Sequence, residues 1–263
     1  MSDTSERHQA ILELARRHGR VGVEQLAGHF AVSVQTIRKD LNQLCDQRLL
    51  ARVHGGATLL SSVENLQYEA RRRIAAPAKA AIGKAAAALI GNDASLFINI
   101  GTTTEAVSHA LHDHSGLLVI TNNINVANRM RVFPRFEVVI AGGVVRPSDG
   151  GVVGEAAAEF FGQFKVDYAV IGASALDEEG ALLDYDYREV KVAQAIIANA
   201  RHVILVADGG KFARSAPVRI ARIDQVTTFV TDHCPSERFR SLCQSAGVAL
   251  VETGQPEWEQ LDD

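Results

Sequence analysis

The chain of 263 residues has few cysteines and no long apolar run. Its three cysteines, Cys45, Cys234 and Cys243, are odd in number and lack metal-ligand spacing. This argues against a disulfide framework and a cysteine-based metal site, and it favours reduced thiols. No segment approaches the roughly 20 apolar residues that span a bilayer, and no apolar signal core opens the chain. We therefore expect a cytoplasmic protein with no membrane partner, no metal and no cofactor.

The net charge of −4 alone argues against a nucleic-acid-binding protein, because such proteins typically have a basic excess. The distribution of charge along the chain reverses this conclusion. Residues 1–84 contain 13 Lys or Arg and 8 Asp or Glu, a balance of +5, whereas residues 85–263 contain 14 and 23, a balance of −9. A basic first part joined to an acidic second part suits a DNA-binding domain carried by another domain. The length and the apolar fraction of 47% are sufficient for two domains with full cores.

Residues 33–44 predict a short helix with one apolar face and one polar face. Ser33 is a good N-cap, because its hydroxyl can accept a hydrogen bond from a first-turn amide. An apolar stripe recurs at helical spacing and comprises Val34, Ile37, Leu41 and Leu44. Arg and Lys bind guanine edges or phosphates, and Asn and Gln can pair with adenine. The opposite face and its flanks carry such groups, namely Gln35, Thr36, Arg38, Lys39 and Asn42.

The segments around this helix complete a winged helix-turn-helix pattern over residues 1–60. A first helix is predicted over residues 6–18, and a second apolar stripe over residues 23–30 is followed by a tight turn. Two short apolar–polar runs, residues 49–53 and 57–60, then flank a glycine turn, which predicts a hairpin. The wing adds Arg52, His54 and Gly55 as candidate DNA contacts, beside Ser33 at the helix start. The alternative is a small helical domain whose polar face is merely solvated.

Residues 61–76 are predicted to be a linker, and residues 77–263 an α/β domain. The basic triplet at residues 71–73 fits a solvated patch better than a phosphate contact, although the neighbouring DNA-binding domain favours the contact. From Ser95 onwards, short apolar runs alternate with helical stretches, which is typical of a mostly parallel sheet. Runs such as residues 168–171 and 203–206 are apolar throughout, as expected of strands covered on both faces.

Small and polar residues follow successive predicted strands, at the edge where parallel sheets bind their ligands. Residues 101–104 open a helix and offer amides, hydroxyls and the positive helix end to a phosphate, and Lys211 adds a charge. Neither a Walker loop nor a dinucleotide fingerprint is present, and each glycine alone also fits a plain turn. We predict a phosphate-bearing small ligand bound by a set of strand-end residues: Gly101, Thr102, Thr103, Thr104, Asn122, Asn123, Gly142, Gly143, Gly150, Gly151, Asp208 and Lys211.

Several segments of the chain resemble the DeoR-type family of bacterial sugar-metabolism repressors. In the first domain they are residues 32–41 and 52–57, and in the second they are residues 98–107, 120–128, 141–143, 149–156 and 195–203. The resemblance implies a homo-oligomer, dimer or tetramer, that binds double-stranded operator DNA and releases it when a phosphorylated metabolite binds, glycerol 3-phosphate being favoured. Lys39 replaces an arginine usual in the family, and Gly210 stands where the pattern has a serine before Lys211.

A competing class is a sugar-phosphate isomerase with an appended DNA-binding domain. The second domain is also similar to ribose-phosphate isomerases, and Glu189 aligns with the glutamate that shuttles the proton in those enzymes. However, Ile171, Ser174 and Ala175 stand where those enzymes have acids, so an acid–base pair is missing. We expect an isomerase-like α/β fold that binds through Glu189 without catalysis, although Glu189 also fits a solvated helix face. A purely architectural DNA-binding protein would leave the strand-end residues without a role.

Overall fold

The computed structural model describes residues 3–18, 20–46, 49–53, 55–59 and 68–254. The chain separates into two compact units, Met1–Arg71 and Arg72–Asp263. Within the described ranges, no helix is both long enough and apolar enough to cross a membrane.

The first unit combines three helices with a three-stranded antiparallel sheet. Its elements are α1 (Asp3–His18), β1 (Arg20–Gly22), α2 (Val23–His29), α3 (Val34–Asp46), β2 (Leu50–Val53) and β3 (Gly56–Leu59). The predicted hairpin is confirmed, with β3 paired to β2 and also to β1. Strand β1 was not predicted, because three residues are too few to show an alternating pattern. Gly56 permits this third strand, since a Cβ there would collide with the carbonyl oxygen of Val21.

The core of the first unit confirms most of the predicted stripe of α3. Ile37, Leu41 and Leu44 are buried and pack with α1, α2 and the sheet. Val34 is 38% exposed, so its predicted place in the buried stripe was wrong. It lies in the first turn of α3 and lines a surface groove instead.

The second unit contains a seven-stranded, fully parallel sheet in the order β15-β14-β12-β9-β4-β5-β6. These strands are β4 (Ser95–Ile98), β5 (Leu117–Thr121), β6 (Phe136–Ile140), β9 (Val166–Ile171), β12 (Ala200–Val206), β14 (Thr228–Thr231) and β15 (Ala249–Glu252). The predicted parallel α/β sheet is confirmed. From β4, the sheet grows through β5 to β6 on one side. The chain then returns to the other side of β4 and adds β9, β12, β14 and β15. The direction of winding therefore changes between β4 and β9.

Helices cover both faces of this sheet. Ile82, Val107 and Val126 place α5 (Ala76–Ala87), α6 (Thr102–Ala110) and α7 (Ile124–Met130) in the core on one face. The core on the other face includes buried residues of α8 (Glu155–Phe161), α9 (Tyr187–Ala198) and α10 (Glu237–Ala246). Burial on both faces explains why the central strands are apolar throughout.

Two small antiparallel elements were not predicted, because their strands have only two to five residues. One is the hairpin of β7 (Val144–Val145) and β8 (Val152–Val153), and the other is a sheet of β10 (Ala175–Leu176), β11 (Ala181–Asp184) and β13 (Val218–Arg222). A short helix, α4 (Tyr68–Arg73), lies within the range predicted as a linker. Residues 61–67 of that range lie outside the described residues. The proposed boundaries at residues 60 and 77 stay predictions.

Candidate DNA-binding surface and candidate effector site

The exposed face of α3 presents the polar groups that the sequence predicted. The backbone amide of Thr36 donates to the hydroxyl of Ser33 over 3.1 Å, so Ser33 caps the helix. The hydroxyls of Ser33 and Thr36 lie 2.8 Å apart and bond to each other. The remaining predicted contacts are exposed to solvent: Gln35, Arg38, Lys39 and Asn42. A capped, solvent-facing row of amides and cations has the chemistry needed to contact base edges and phosphates.

The hairpin brings a further cation to the same surface. The Arg52 guanidinium on β2 donates a hydrogen bond to the Asn42 side chain on α3. Arg52, Arg38 and Gly55 line a groove of about 620 Å³, together with Gly22, Val23, Glu24, Gln25, Val34 and Gly56. His54, the remaining predicted wing contact, lies outside the described residues. Glu24 was not predicted here, and its carboxylate will oppose phosphates that approach this groove.

A buried ion pair holds α3 against α1. Asp40 is 2% exposed and accepts hydrogen bonds from Arg7 Nε at 2.6 Å and from His8 Nε2 at 3.1 Å. Burial acts to raise the pKa of Asp40, but the bonds from Arg7 and His8 outweigh it and lower the pKa. The sequence pattern predicted no role for Asp40. Its position beside Ile37 and Leu44 on the apolar face was the signal that could have identified it.

Replacing Asp40 with alanine should destabilise the first unit by about 1–3 kcal/mol, because it removes the buried carboxylate that accepts hydrogen bonds from Arg7 and His8. The melting temperature of that transition in the full chain should fall by several degrees, at roughly 4–8 °C per kcal/mol for a domain this small. A group with a lowered pKa stabilises the fold above its ordinary value of 3.8 and loses that effect as the pH falls. The difference between wild type and variant should therefore shrink in acid.

Asp46→Ala is the matched control, because Asp46 is an exposed aspartate at the end of the same helix. This variant should melt within about one degree of the wild type, because surface substitutions usually change stability very little. Equal melting temperatures for Asp40→Ala and wild type at pH 7 would contradict a stabilising role for the pair.

In the second unit, the start of α6 lies at the change of winding between β4 and β9, where parallel sheets bind ligands. Gly101 precedes the helix with φ of 149°, and Thr102 is half-buried at its first position. The Thr104 hydroxyl donates to the carbonyl oxygens of Asn99 and Gly101 over 2.7 and 2.8 Å, and Thr104 is fully buried. Thr104 therefore shapes the turn, and Thr103 is also buried. The groups at this turn that suit a ligand are the first-turn amides and Thr102.

The asparagines after β5 are also buried and hold the edge of the sheet together. The Asn123 carboxamide caps α7 by accepting from the Asn125 amide at 2.9 Å, and it donates to Glu105 Oε1 at 3.1 Å. The Asn122 carboxamide donates to the carbonyl of Val152 over 3.0 Å. The side chain of Asn123 is thus engaged at both ends, which assigns it a supporting role at the predicted site.

The glycines of residues 142–151 belong to the β7–β8 hairpin, which folds back against the end of β4. Gly142 and Gly143 are exposed, whereas Gly150 adopts a φ of 72° in the turn. A Cβ on Gly151 would collide with the side chain of Ile100, so this glycine permits the close approach. The segments at Gly101 and Gly151 are consequently brought together, as the sequence predicted for strand-end residues.

A half-buried arginine that the sequence did not predict lies in this hairpin. Arg146 donates to Asp149 through Nε at 2.9 Å and Nη2 at 2.7 Å, to Glu189 at 2.6 Å and to Asp186 at 3.2 Å. Its side chain is 14% exposed. Four acidic residues, Asp149, Asp184, Asp186 and Glu189, lie together with Arg146. We call these five residues, after their carboxyl groups, the carboxylate cluster. Its members come from the hairpin, from β11 and from the start of α9.

Glu189 is 8% exposed, so the alternative of a solvated helix face was wrong. Burial, followed by the neighbouring charge of Asp184, raises the pKa of Glu189 to about 8 despite the bond from Arg146. Glu189 is therefore harder to ionise than an ordinary glutamate. Asp184 in turn accepts from the Ser174 hydroxyl at 2.8 Å. Carboxyl groups thus surround Glu189, although Ile171, Ser174 and Ala175 lack them.

The segment after β12 lies farther along the same edge. Asp208 and Lys211 are both buried, and the Gly209 amide donates to Asp232 over 2.7 Å. Gly172, after β9, lies between the ends of β4 and β12, because a Cβ there would contact the carbonyl oxygens of Ile100 and Val206. In the described part of the chain, no group of three or more His, Cys, Asp or Glu side chains is arranged to hold a metal.

Comparison with known proteins identifies both units. The family model of the DeoR-like helix-turn-helix domain matches residues 7–63, and that of the DeoR C terminal sensor domain matches residues 74–233. The chain is 46% identical over 231 residues to the glycerol-3-phosphate regulon repressor of Escherichia coli strain K12, covering 88% of this chain and 92% of the relative. It is 38% identical over 245 residues to the HTH-type transcriptional repressor CsqR of the same strain, covering 93% and 94%.

Among solved structures, ribose 5 phosphate isomerase A from Neisseria gonorrhoeae matches 52% of this chain and 53% of its own, with 11% identity and a TM-score of 0.38. A likeness this distant is no evidence of activity. The two relatives that cover 88% and 93% of the chain are named as repressors, which confirms the expectation of a regulator and not an enzyme. By both of its domains, the chain belongs to the DeoR family.

Proposed function

We propose that this repressor controls genes of glycerol 3-phosphate metabolism and releases its operator when glycerol 3-phosphate binds. The observation that supports this most strongly is the identity of 46%, over 88% of the chain, to relatives named glycerol-3-phosphate regulon repressor. In this proposal α3 and the wing bind double-stranded DNA, and the carboxyl edge of the large sheet binds the effector. The protein acts in the cytoplasm, with the DNA.

The DNA-binding part of the proposal rests on the exposed side chains of α3. A helix of 13 residues with no acid in its first turn presents Gln35, Arg38 and Lys39 to solvent. Asp40, on the same helix, is turned inward and neutralised by Arg7, so it leaves the outer face basic. Arg52 extends this face onto the wing. Such a surface can position the protein on DNA through phosphate contacts and can contact bases in the major groove.

The effector part rests on the start of α6. The first-turn amides and the helix dipole favour an anion there, and Thr102 adds a hydroxyl at the same turn. Arg146 is tied to three carboxylates, so it brings no net positive charge to this region. Residues 85–263 carry a balance of −9, which repels anions at long range. The hydrogen-bond donors at the start of α6 must therefore outweigh this repulsion at short range, as they can where water is partly excluded.

We also propose that the protein is a homo-oligomer. β6 lies at one edge of the large sheet, and its last residue Ile140 is 44% exposed. Val144 and Val145, in the adjoining hairpin, are 66% and 46% exposed. Clustered exposed apolar residues are typical of protein interfaces. Sedimentation analysis of the full chain should show a dimer or a tetramer.

A thermal-shift screen of phosphorylated metabolites on the full chain tests the proposed effector. A ligand that binds only the folded state stabilises it by about 2.7 kcal/mol at a concentration of 100 Kd. Glycerol 3-phosphate should raise the melting temperature, whereas glycerol and inorganic phosphate at equal concentrations should raise it less. A larger shift with a different metabolite, and none with glycerol 3-phosphate, would contradict the proposed effector.

The purified protein should not isomerise ribose 5-phosphate. A general base must be able to reach the substrate and must work with an acid, whereas Glu189 is buried and bonded to Arg146, and Ile171, Ser174 and Ala175 supply no acid. A coupled assay should show turnover far below about 1 s⁻¹, an ordinary lower limit for enzymes. Turnover above that rate in the wild type, abolished by Glu189→Gln, would establish the isomerase alternative instead.

A further inference from the structure

Two buried asparagine oxygens, which follow β4 and β5 at the carboxyl edge, lack hydrogen-bond partners among the described residues. They are Oδ1 of Asn99, which is 2% exposed, and Oδ1 of Asn122, which is fully buried. A buried polar atom without a partner costs about 1–3 kcal/mol. Unpaired buried groups in native proteins are rare and often belong to binding sites. Both atoms are acceptors, so the missing partner is a hydrogen-bond donor.

The two asparagines are neighbours on one face of the sheet. In the parallel pairing of β4 with β5, Ile98 lies opposite Thr121, so Asn99 and Asn122 follow at the next position of each strand. Side chains alternate along a strand. Phe97 and Ile120 belong to the core that includes α9, whereas Ile98 packs in the other core, so both asparagines lie on the α9 side.

The carboxylate cluster lies on that same side. Asp186 and Glu189 are at the start of α9. Val190, the residue after Glu189, packs in the core that includes Phe97. Asp149 is close to the end of β4, since the Gly151 amide donates to it over 3.3 Å and Gly151 packs against Ile100. The carboxyl edge therefore has amide donors at the start of α6 and an excess of acceptors on the α9 side.

We propose that the α9 side, formed by Asn99, Asn122 and the carboxylate cluster, binds the hydroxyl groups of a phosphorylated polyol. The inference rests on the proposed function, and it adds the orientation and the class of the ligand. Carboxylates repel a phosphate but accept hydrogen bonds from hydroxyls. The phosphate is thereby directed to the start of α6, and the hydroxyls to the asparagine oxygens and the cluster.

Such a site rejects phosphate esters that have no hydroxyls, because its buried acceptors would stay unpaired. The test is calorimetry of the full chain with glycerol 3-phosphate and with propyl phosphate, which has the same carbon chain and phosphate without the two hydroxyls. We expect glycerol 3-phosphate to bind about 10–100-fold more tightly, the factor for one or two buried hydrogen bonds.

Asn99→Leu assigns this preference to the asparagine. Leucine has nearly the same size and no acceptor, so affinity for glycerol 3-phosphate should fall about tenfold, while that for propyl phosphate stays within about twofold. Because the substitution removes an unpaired polar group, the unliganded variant should melt no lower than wild type. Asn128→Leu is the control, since Asn128 is exposed on α7 and its side chain accepts a hydrogen bond from Arg131.

Equal affinity of the wild type for the two esters would overturn the hydroxyl site and leave the phosphorylated effector standing. No binding of either ester would overturn both proposals. A preference for glycerol 3-phosphate that persists unchanged in a folded Asn99→Leu variant would remove Asn99 from the site. If that variant does not fold, the wild-type comparison of the two esters decides the proposal alone.

Discussion

Replacing Arg38 and Lys39 together with alanine should weaken operator binding by about 100-fold or more. Both side chains are exposed on the capped helix α3, and Arg38 also lines the groove that reaches the wing. A base contact is worth about 1–3 kcal/mol, which is roughly 5–150-fold in affinity. The loss of two such contacts therefore exceeds the effect of any single substitution on this surface.

Measured salt dependence separates the two kinds of contact. Each phosphate contact that is lost should reduce the slope of log K against log salt by roughly 0.9, whereas a lost base contact should relax sequence preference instead. Lys165→Ala is the matched control, because Lys165 is an exposed cation of the second unit. If the double variant binds the operator with wild-type affinity and salt slope, α3 is not the recognition helix.

The architecture was predictable because periodicity reports burial. β9 and β12 are apolar over most of their length since helices cover both faces, and the sequence pattern identified both strands. β1 and β10 were missed, because strands of three and two residues are stabilised by their partners and have no pattern of their own. Gly56, whose small size admits β1, was interpreted only as a turn residue.

The candidate site could be proposed from the sequence only where its chemistry is local. Gly101 and Thr102 stand beside each other in the chain, so a glycine before a helix start indicated an anion site. Arg146 bonds Asp186 and Glu189, which follow it by 40 and 43 residues, and no local pattern joins them. The same holds for Asp40 and Arg7, which are 33 residues apart. Such pairs become visible only once the chain is folded.

Glycerol 3-phosphate at saturating concentration should weaken operator binding by about 5–150-fold. This is the range of a typical coupling free energy of about 1–3 kcal/mol. Coupling arises only if the ligand prefers an arrangement of domains or subunits that fits the operator poorly. The linkage is reciprocal, so operator DNA must weaken glycerol 3-phosphate binding by the same factor.

Calorimetry with glycerol 3-phosphate on free and on operator-bound protein measures this factor directly. Thr102→Val removes the hydroxyl at the start of α6, and it should reduce glycerol 3-phosphate affinity by about tenfold in both states. Thr228→Val is the control, because Thr228 is equally half-buried but is the first residue of β14. It therefore lies at the amino-terminal ends of the parallel strands, away from the carboxyl edge. Equal glycerol 3-phosphate affinity of the free and the operator-bound wild type would show that it is not the inducer, however tightly it binds. A Thr102→Val variant that retains full affinity would place the phosphate away from α6, and Lys211, in the turn after β12, would become the next residue to replace.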